Sequence, residues 1–244
     1  MPSYAFTIAG RVIRQIVRDR RTLALIVIVP LVVMSLIGHS FPEGGILDTI
    51  APALLAAIAL FFSFLLTGVS FLRERSQGTL ERLMASPVSH LDIVVGYLFG
   101  FFVFALTQTL IIVLFTIYVL GVNFQGELWQ IFVFQIVVIT GAVTLGIFTS
   151  TFARNEFQMV QFIPLIILPQ VFLSGVIWEV ERMPDYLQWL SAILPLTYAV
   201  DGLRDIMLFG KSLIDVGFQL AVLAGFTVVT SILAAITLRR GATG

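Results

Sequence analysis

Cysteine is absent from the 244 residues, so no disulfide can staple any segment and the redox compartment leaves no trace in the chain. Lysine occurs once, at Lys211, and histidine only at His39 and His90. A phosphate-cradling loop needs glycines that expose backbone amides, followed by a lysine. No such pairing exists here, and nucleotide hydrolysis within this chain is excluded. HExxH, paired metal ligands and a GxSxG elbow are also missing, which removes zinc hydrolysis and serine acylation. Charge is scarce, at 11%, and the long apolar runs hold no Asp, Glu, Lys or Arg in their interiors. Proton relays, voltage sensors and most ion-coupled carriers need ionisable groups at membrane depth. Sodium sites built from carbonyls and hydroxyls stay open.

What the chain has in abundance is apolar surface: 59% hydrophobic residues and a mean hydropathy of +1.04. About 20 apolar residues cross a bilayer as a helix. Six runs qualify, at 23–40, 51–72, 93–122, 128–152, 157–178 and 216–238. The expected fold is an all-α polytopic membrane protein forming one domain over 1–244. The net charge of zero hides an asymmetry: with the amino terminus in the cytoplasm, 11 of the 14 basic residues fall in cytoplasmic segments. Only Arg182, Arg204 and Lys211 lie outside. Basic residues in short loops set orientation, so both termini are expected in the cytoplasm. The first apolar run starts at Leu23 without a small-residue cleavage site after it, which reads as a retained span rather than a signal peptide.

Residues 4–21 repeat with helical spacing. Arg11, Arg14, Arg18 and Arg21 make a basic stripe, opposite Ala5, Ile8, Ala9, Val12, Ile13, Ile16 and Val17. This predicts an interfacial helix whose arginines face cytosol and anionic headgroups. It serves either as an anchor or as a contact for a partner. Small residues around Gly141 and Gly146 in the fourth span predict close helix packing. The fifth carries Pro164 and Pro169, which free carbonyls from the helical ladder, and Gln158, Gln161 and Gln170 along it. It either lines a translocation surface or only packs. Residues 179–215 are too apolar for a free loop and predict two short helices, near 184–194 and 197–208, dipping back into the outer leaflet. Asp201, Arg204 and Asp205 there are spaced to form a charge cluster.

The stretch 73–92, RERSQGTLERLMASPVSHLD, is a charged island between two spans. Leu80, Leu83 and Met84 share one side of a short predicted helix, with Glu81 and Arg82 on the other. Pro87 ends it, and Ser89 with Asp92 can form a capping box into the next span. Such an element is rigid and held at the cytoplasmic surface.

The run GTLERLMASPVSHLDIVVGYLFG resembles the cytoplasmic loop of ABC-type-2 permeases, the membrane subunits of ABC exporters. Pro195, Leu196, Tyr198 and Arg204, in PLTYAVDGLR, resemble that family's signature near the carboxyl end. The resemblance implies a permease that pairs with a second permease, identical or related, and with separate ABC ATPase subunits that bind ATP and magnesium; this chain itself holds no cofactor and no metal. It implies that Glu74, Gly78, Thr79, Leu80, Glu81, Arg82, Leu83 and Met84 form the coupling contact with the ATPase. Membrane lipid is its surroundings, and nucleic acid is no partner.

The expected function is ATP-driven export of a hydrophobic or amphipathic substrate, drug-like or lipid-like, across the cytoplasmic membrane. The second and fifth spans line the expected path with Ser63, Thr67, Ser70, Gln158, Gln161, Gln170 and Ser174, and Phe172 with Leu173 form an apolar plug. Two alternatives stand beside it: export of polysaccharide or glycolipid by the same family, and a non-transporting membrane scaffold. Tyr198 and Arg204 either stabilise the external helices or touch substrate.

Overall fold

A computed structural model describes residues 4–40, 45–79, 83, 88 and 90–241, with side chains at all of these except 21, 22, 90, 91, 94 and 239–241. The described residues are nearly all helical and contain no strand. In chain order the helices are α1 (Tyr4–Arg18), α2 (Arg20–Ser40), α3 (Ile46–Ser76), α4 (His90–Leu114), α5 (Leu128–Ser150), α6 (Glu156–Leu173), α7 (Asp185–Ser191), α8 (Pro195–Phe209) and α9 (Gly217–Gly241). Six are long and apolar enough to cross a membrane: α2, α3, α4, α5, α6 and α9.

The core is built on α3 and α5, the most extensively packed pair. Their contact depends on missing side chains. A Cβ built at Gly146 would lie 2.8 Å from the Phe64 carbonyl oxygen and 3.1 Å from the Gly68 nitrogen, so only hydrogen fits. Without a hydrophobic drive between helices in lipid, such close backbone approach is what holds spans together. The same device docks α1 on α4. A Cβ at Gly96 would stand 2.7 Å from Ile8 Cβ, and one at Gly100 would stand 2.9 Å from Val12 Cβ. Ala5, Ile8, Ala9, Val12 and Ile16 are the buried face of α1; Val17, expected on that face, is exposed.

Several boundaries differ from the sequence reading. α3 runs four residues beyond the expected 72, so Arg73, Glu74 and Arg75 are its last turn and not the start of a loop. It ends where the Gln77 and Gly78 amides donate to the Arg73 and Arg75 carbonyls, at 3.0 Å each, and Gly78 takes a φ of +69°, a left-handed conformation that suits glycine. α4 closes in a π-helical turn, Phe115–Val119. α6 stays one helix through Pro164 and Pro169 and stops at Leu173, short of the expected 178, because Gly175 turns left-handed at φ +78°. The expected short helices are present as α7 and α8, with Pro184 just outside α7 and Pro195 in the first turn of α8. The coupling positions Leu80, Glu81, Arg82 and Met84, with Pro87 and Ser89, lie outside the described residues.

Candidate functional site: the last turn of α3

Three consecutive residues end α3, and each is bound to a different neighbour. A helix turns by about 100° per residue, so adjacent side chains fan out in different directions. Arg73 reaches α6, where Nε donates to Glu156 Oε1 at 2.7 Å and Nη2 to Oε2 at 3.2 Å. Its Nη1 donates to Asp19 Oδ2 at 3.3 Å, in the joint between α1 and α2. Two parallel bonds to one carboxylate fix a guanidinium in orientation as well as position. Arg75 Nη1 donates to the Thr151 carbonyl at 2.9 Å, in the turn between α5 and α6.

Glu74 points the other way, into protein, and is 3% exposed. Its Oε2 accepts from Arg11 Nη2 of α1 and from the Tyr97 hydroxyl of α4, both at 2.7 Å. Arg11 Nη2 also donates to the Tyr97 oxygen at 2.5 Å, and the guanidinium carbon lies 5.7 Å from the tyrosine ring centre. Phe71 meets the Tyr97 ring edge-on at 5.1 Å. A buried carboxylate is costly unless paired and hydrogen-bonded, and here a cation and a hydroxyl supply both. Between these groups lies a small cavity bounded by Gln15, Asp19, Ser70, Arg73, Glu74 and Phe101, among others. Through one turn α3 therefore grips α1, the α1–α2 joint, α4, the α5–α6 turn and α6. Leu83 and Val88, from the loop that follows, pack against the cluster formed by Ile8, Val12, Phe71 and Tyr97.

Arg11 thus departs from the expected basic stripe: packing of α1 on Gly96 and Gly100 brings it beside Glu74, and it turns inward to the carboxylate. Arg14 and Arg18 are exposed, and the side chain of Arg21 lies outside the described residues. Gly78 and Thr79 are half-buried beyond the hub.

The expected path residues do not gather on one surface of the chain. Ser63 and Thr67 are buried, and Thr67 faces Gly146 of α5. Ser70 borders the cavity beside Glu74. Gln158 is spent on the start of α6, accepting from the Arg154 amide at 2.8 Å while its own amide donates to Asn155 Oδ1 at 2.9 Å. Gln161 and Phe172 are exposed and Leu173 is half-buried. Gln170 is buried, with Nε2 donating to the Ile166 carbonyl at 3.2 Å. Ser174 is buried and accepts from the Thr197 hydroxyl at 3.0 Å.

At the opposite end of the bundle, the carboxyl-terminal signature residues all make contacts within the fold. Pro195 and Leu196 are buried in the first turn of α8. Tyr198 donates to the Ala192 carbonyl at 2.8 Å, and Arg204 Nη2 donates to the Gly175 carbonyl at 2.6 Å, pinning the chain just after α6. The expected cluster of Asp201, Arg204 and Asp205 does not form ion pairs, because Arg204 is turned to Gly175 and Asp205 pairs with Lys211 at 2.9 Å. Desolvation pushes the Asp201 carboxyl up to about 6, with Arg204 pulling it down and Glu181 and Asp205 adding to the rise. Hydrogen bonds from Ser212 hold the Asp215 carboxyl below the usual range.

Sequence reasoning missed Tyr97, Arg73, Arg75, Asp19 and Glu156 as members of this hub. One signal was available: Phe71 and Glu74 stand three apart on one face of a helix, and Tyr97 and Phe101 four apart on another. Which faces meet is not written in either spacing.

The comparisons with known proteins agree with this architecture. A family described as ABC-2 type transporter matches residues 4–208. ABC transporter G family member 20 of Dictyostelium discoideum is 30% identical over 172 residues, 70% of this chain and 24% of that protein. The probable multidrug ABC transporter permease YbhS of Escherichia coli K12 is 26% identical over 163 residues, 66% of this chain and 43% of the relative. The linearmycin resistance permease protein LnrN of Bacillus subtilis is 27% identical over 161 residues, covering 66% and 42%. The chain thus spans less than half the length of these curated relatives. With six apolar helices and a family match over most of its length, this multi-pass membrane protein belongs to the ABC-2 type transporter family.

Proposed function

We propose that the chain is the permease of an ATP-driven exporter, moving a hydrophobic or amphipathic substrate out across the cytoplasmic membrane. One observation carries the reading: the last turn of α3, which leads directly into Gly78 and the loop beyond, is bonded at once to α1, α4, the α5–α6 turn and α6. A push delivered to the end of α3 would reach most of the bundle through short polar contacts. Separate ATPase subunits would supply the push, binding ATP with magnesium and docking on Gly78, Thr79, Leu80, Glu81, Arg82, Leu83 and Met84; Glu74, expected in that contact, is buried against Arg11 and Tyr97 and would instead tie the docking loop to the bundle. A second permease, identical or related, would complete the path. Both termini and the hub would face the cytosol, because Arg11, Arg14, Arg18, Arg20, Arg73, Arg75 and Arg154 all fall in segments that this orientation puts inside. The spans are uncharged in their middles and rich in phenylalanine, which suits an apolar cargo; two relatives are named as a probable multidrug permease and a linearmycin resistance permease, in keeping with a drug-like cargo.

The test is to express the chain with its ATPase and replace Glu81 and Arg82 by alanine. Loss of assembly, or of cargo-stimulated ATP hydrolysis in an assembled complex, is the expected result. Unchanged values of both would remove the coupling assignment.

A further inference from the structure

α1 divides its arginines between two tasks. Arg11 is taken up by Glu74 and Tyr97. Arg14 and Arg18, one helical turn apart on the side away from α4, are exposed and meet no carboxylate among the described residues. Arg14 uses Nε on the Gly10 carbonyl at 3.1 Å, which steadies the side chain and leaves its terminal nitrogens free to donate. The side chains of Arg11, Arg14, Gln15 and Arg18 border an open groove of about 440 Å³.

The neighbouring stripe of the same helix is apolar and also uncovered. Phe6, Ile13 and Val17 fall at i, i+7 and i+11, one line along the helix; Phe6 is 67% and Val17 52% exposed. Phe6 meets the ring of Phe99 edge-on at 5.9 Å. Phe99 and Val95, four residues apart on α4, are exposed as well and belong to a helix that crosses the membrane. The uncovered apolar stripe of α1 is therefore continuous with the lipid-facing side of a span, and the two exposed guanidiniums run along its edge. A soluble anion would use the arginines and leave the apolar stripe without a partner. A lipid uses both.

We propose that Arg14 and Arg18 bind the phosphate of an anionic membrane lipid, whose acyl chains lie along Phe6, Val17 and Phe99. Guanidinium pairs suit phosphate because their planar donors engage two oxygens at once. The assignment rests on the membrane-spanning architecture and not on export, so it stands or falls separately from the transport reading.

The experiment uses the purified full chain, stripped of lipid and titrated with phosphatidylglycerol or phosphatidylcholine, with bound lipid counted by native mass spectrometry. Phosphatidylglycerol should bind preferentially. Each arginine near an anionic surface is worth about 1 kcal/mol, so Arg14→Gln or Arg18→Gln should weaken that binding about five-fold and the double variant about thirty-fold. Arg14→Lys/Arg18→Lys should keep most of it, and Phe6→Gln/Val17→Gln should weaken it with both arginines in place. Unchanged melting temperatures would show that the variants fold. Three results would overturn the proposal: equal binding of both lipids, wild-type phosphatidylglycerol binding by the Arg14→Gln/Arg18→Gln variant, or free glycerol phosphate competing as well as the lipid itself. If that variant binds lipid normally but no longer retains an ATPase subunit, the surface belongs to a protein partner instead.

Discussion

Arg11 and Glu74 are 63 positions apart in the chain and meet at 2.7 Å. The carboxylate is almost fully buried and the guanidinium about a third exposed. The pair therefore joins α1 to the end of α3 at a place where water reaches the guanidinium but not the carboxylate.

Removing the cation alone leaves a buried carboxylate held by one tyrosine. Arg11→Ala should lower stability by about 2 kcal/mol, less than the loss for a fully buried pair because Arg11 is partly solvated. Replacing both groups by apolar residues, Arg11→Met with Glu74→Leu, should recover most of that loss. Thermal unfolding in detergent, arranged as a double-mutant cycle, measures the coupling; additive losses would mean that the two groups act independently.

Arg73 should behave differently. Its bonds to Glu156 and Asp19 are about half exposed, and exposed ion pairs contribute about 1 kcal/mol or less. Arg73→Ala should leave the melting temperature nearly unchanged. If the last turn of α3 transmits displacement, the same variant should still assemble with its ATPase and yet export less cargo per ATP hydrolysed, measured in vesicles.

The seat of α1 is the glycine pair on α4. Gly96→Leu would drive a side chain into Ile8 Cβ and the Ala5 carbonyl, which stand 2.7 and 2.8 Å from the position of a Cβ. Overpacking of this kind costs about 1–3 kcal/mol. The sharper readout is the Arg11–Glu74 coupling energy, which should fall toward zero in the Gly96→Leu background because α1 can no longer lie close enough for the bond to form.

Orientation can be read directly, since the chain has no cysteine of its own. A single cysteine at Gln77 should react with an impermeant maleimide only after the membrane is opened, and one at Asp185 should react from outside in intact cells. Both positions are exposed. The reverse pattern would invert the topology and place the hub on the wrong side for any cytosolic ATPase.

Apolar length and the clustering of arginine are local properties, and they determined much of the architecture. The six spans, the amphipathic character of α1 and the two short helices before α9 follow from residues 4–241 read a window at a time, because a helix in lipid must satisfy its own backbone and show apolar side chains outward. Element ends were less legible. Nothing local distinguishes Arg73, Glu74 and Arg75 as the end of a helix from the start of a loop, and Glu74 is helical and buried because α1 and α4 bring it a cation and a hydroxyl.

Tertiary structure alone decided which polar residues look inward. Ser63, Thr67 and Gln170 are uncharged polar residues like Gln161, yet the first three are buried and the last is exposed, since helices pack by face and the spans show little amphipathic bias to announce a face. The same holds for Arg11 against Arg14: both sit in one basic stripe, and only the seating of α1 on Gly96 and Gly100 sends the first to Glu74 and leaves the second free. Sequence sets which residues can pair, while contacts between groups tens of positions apart depend on distances that exist only once the helices have docked.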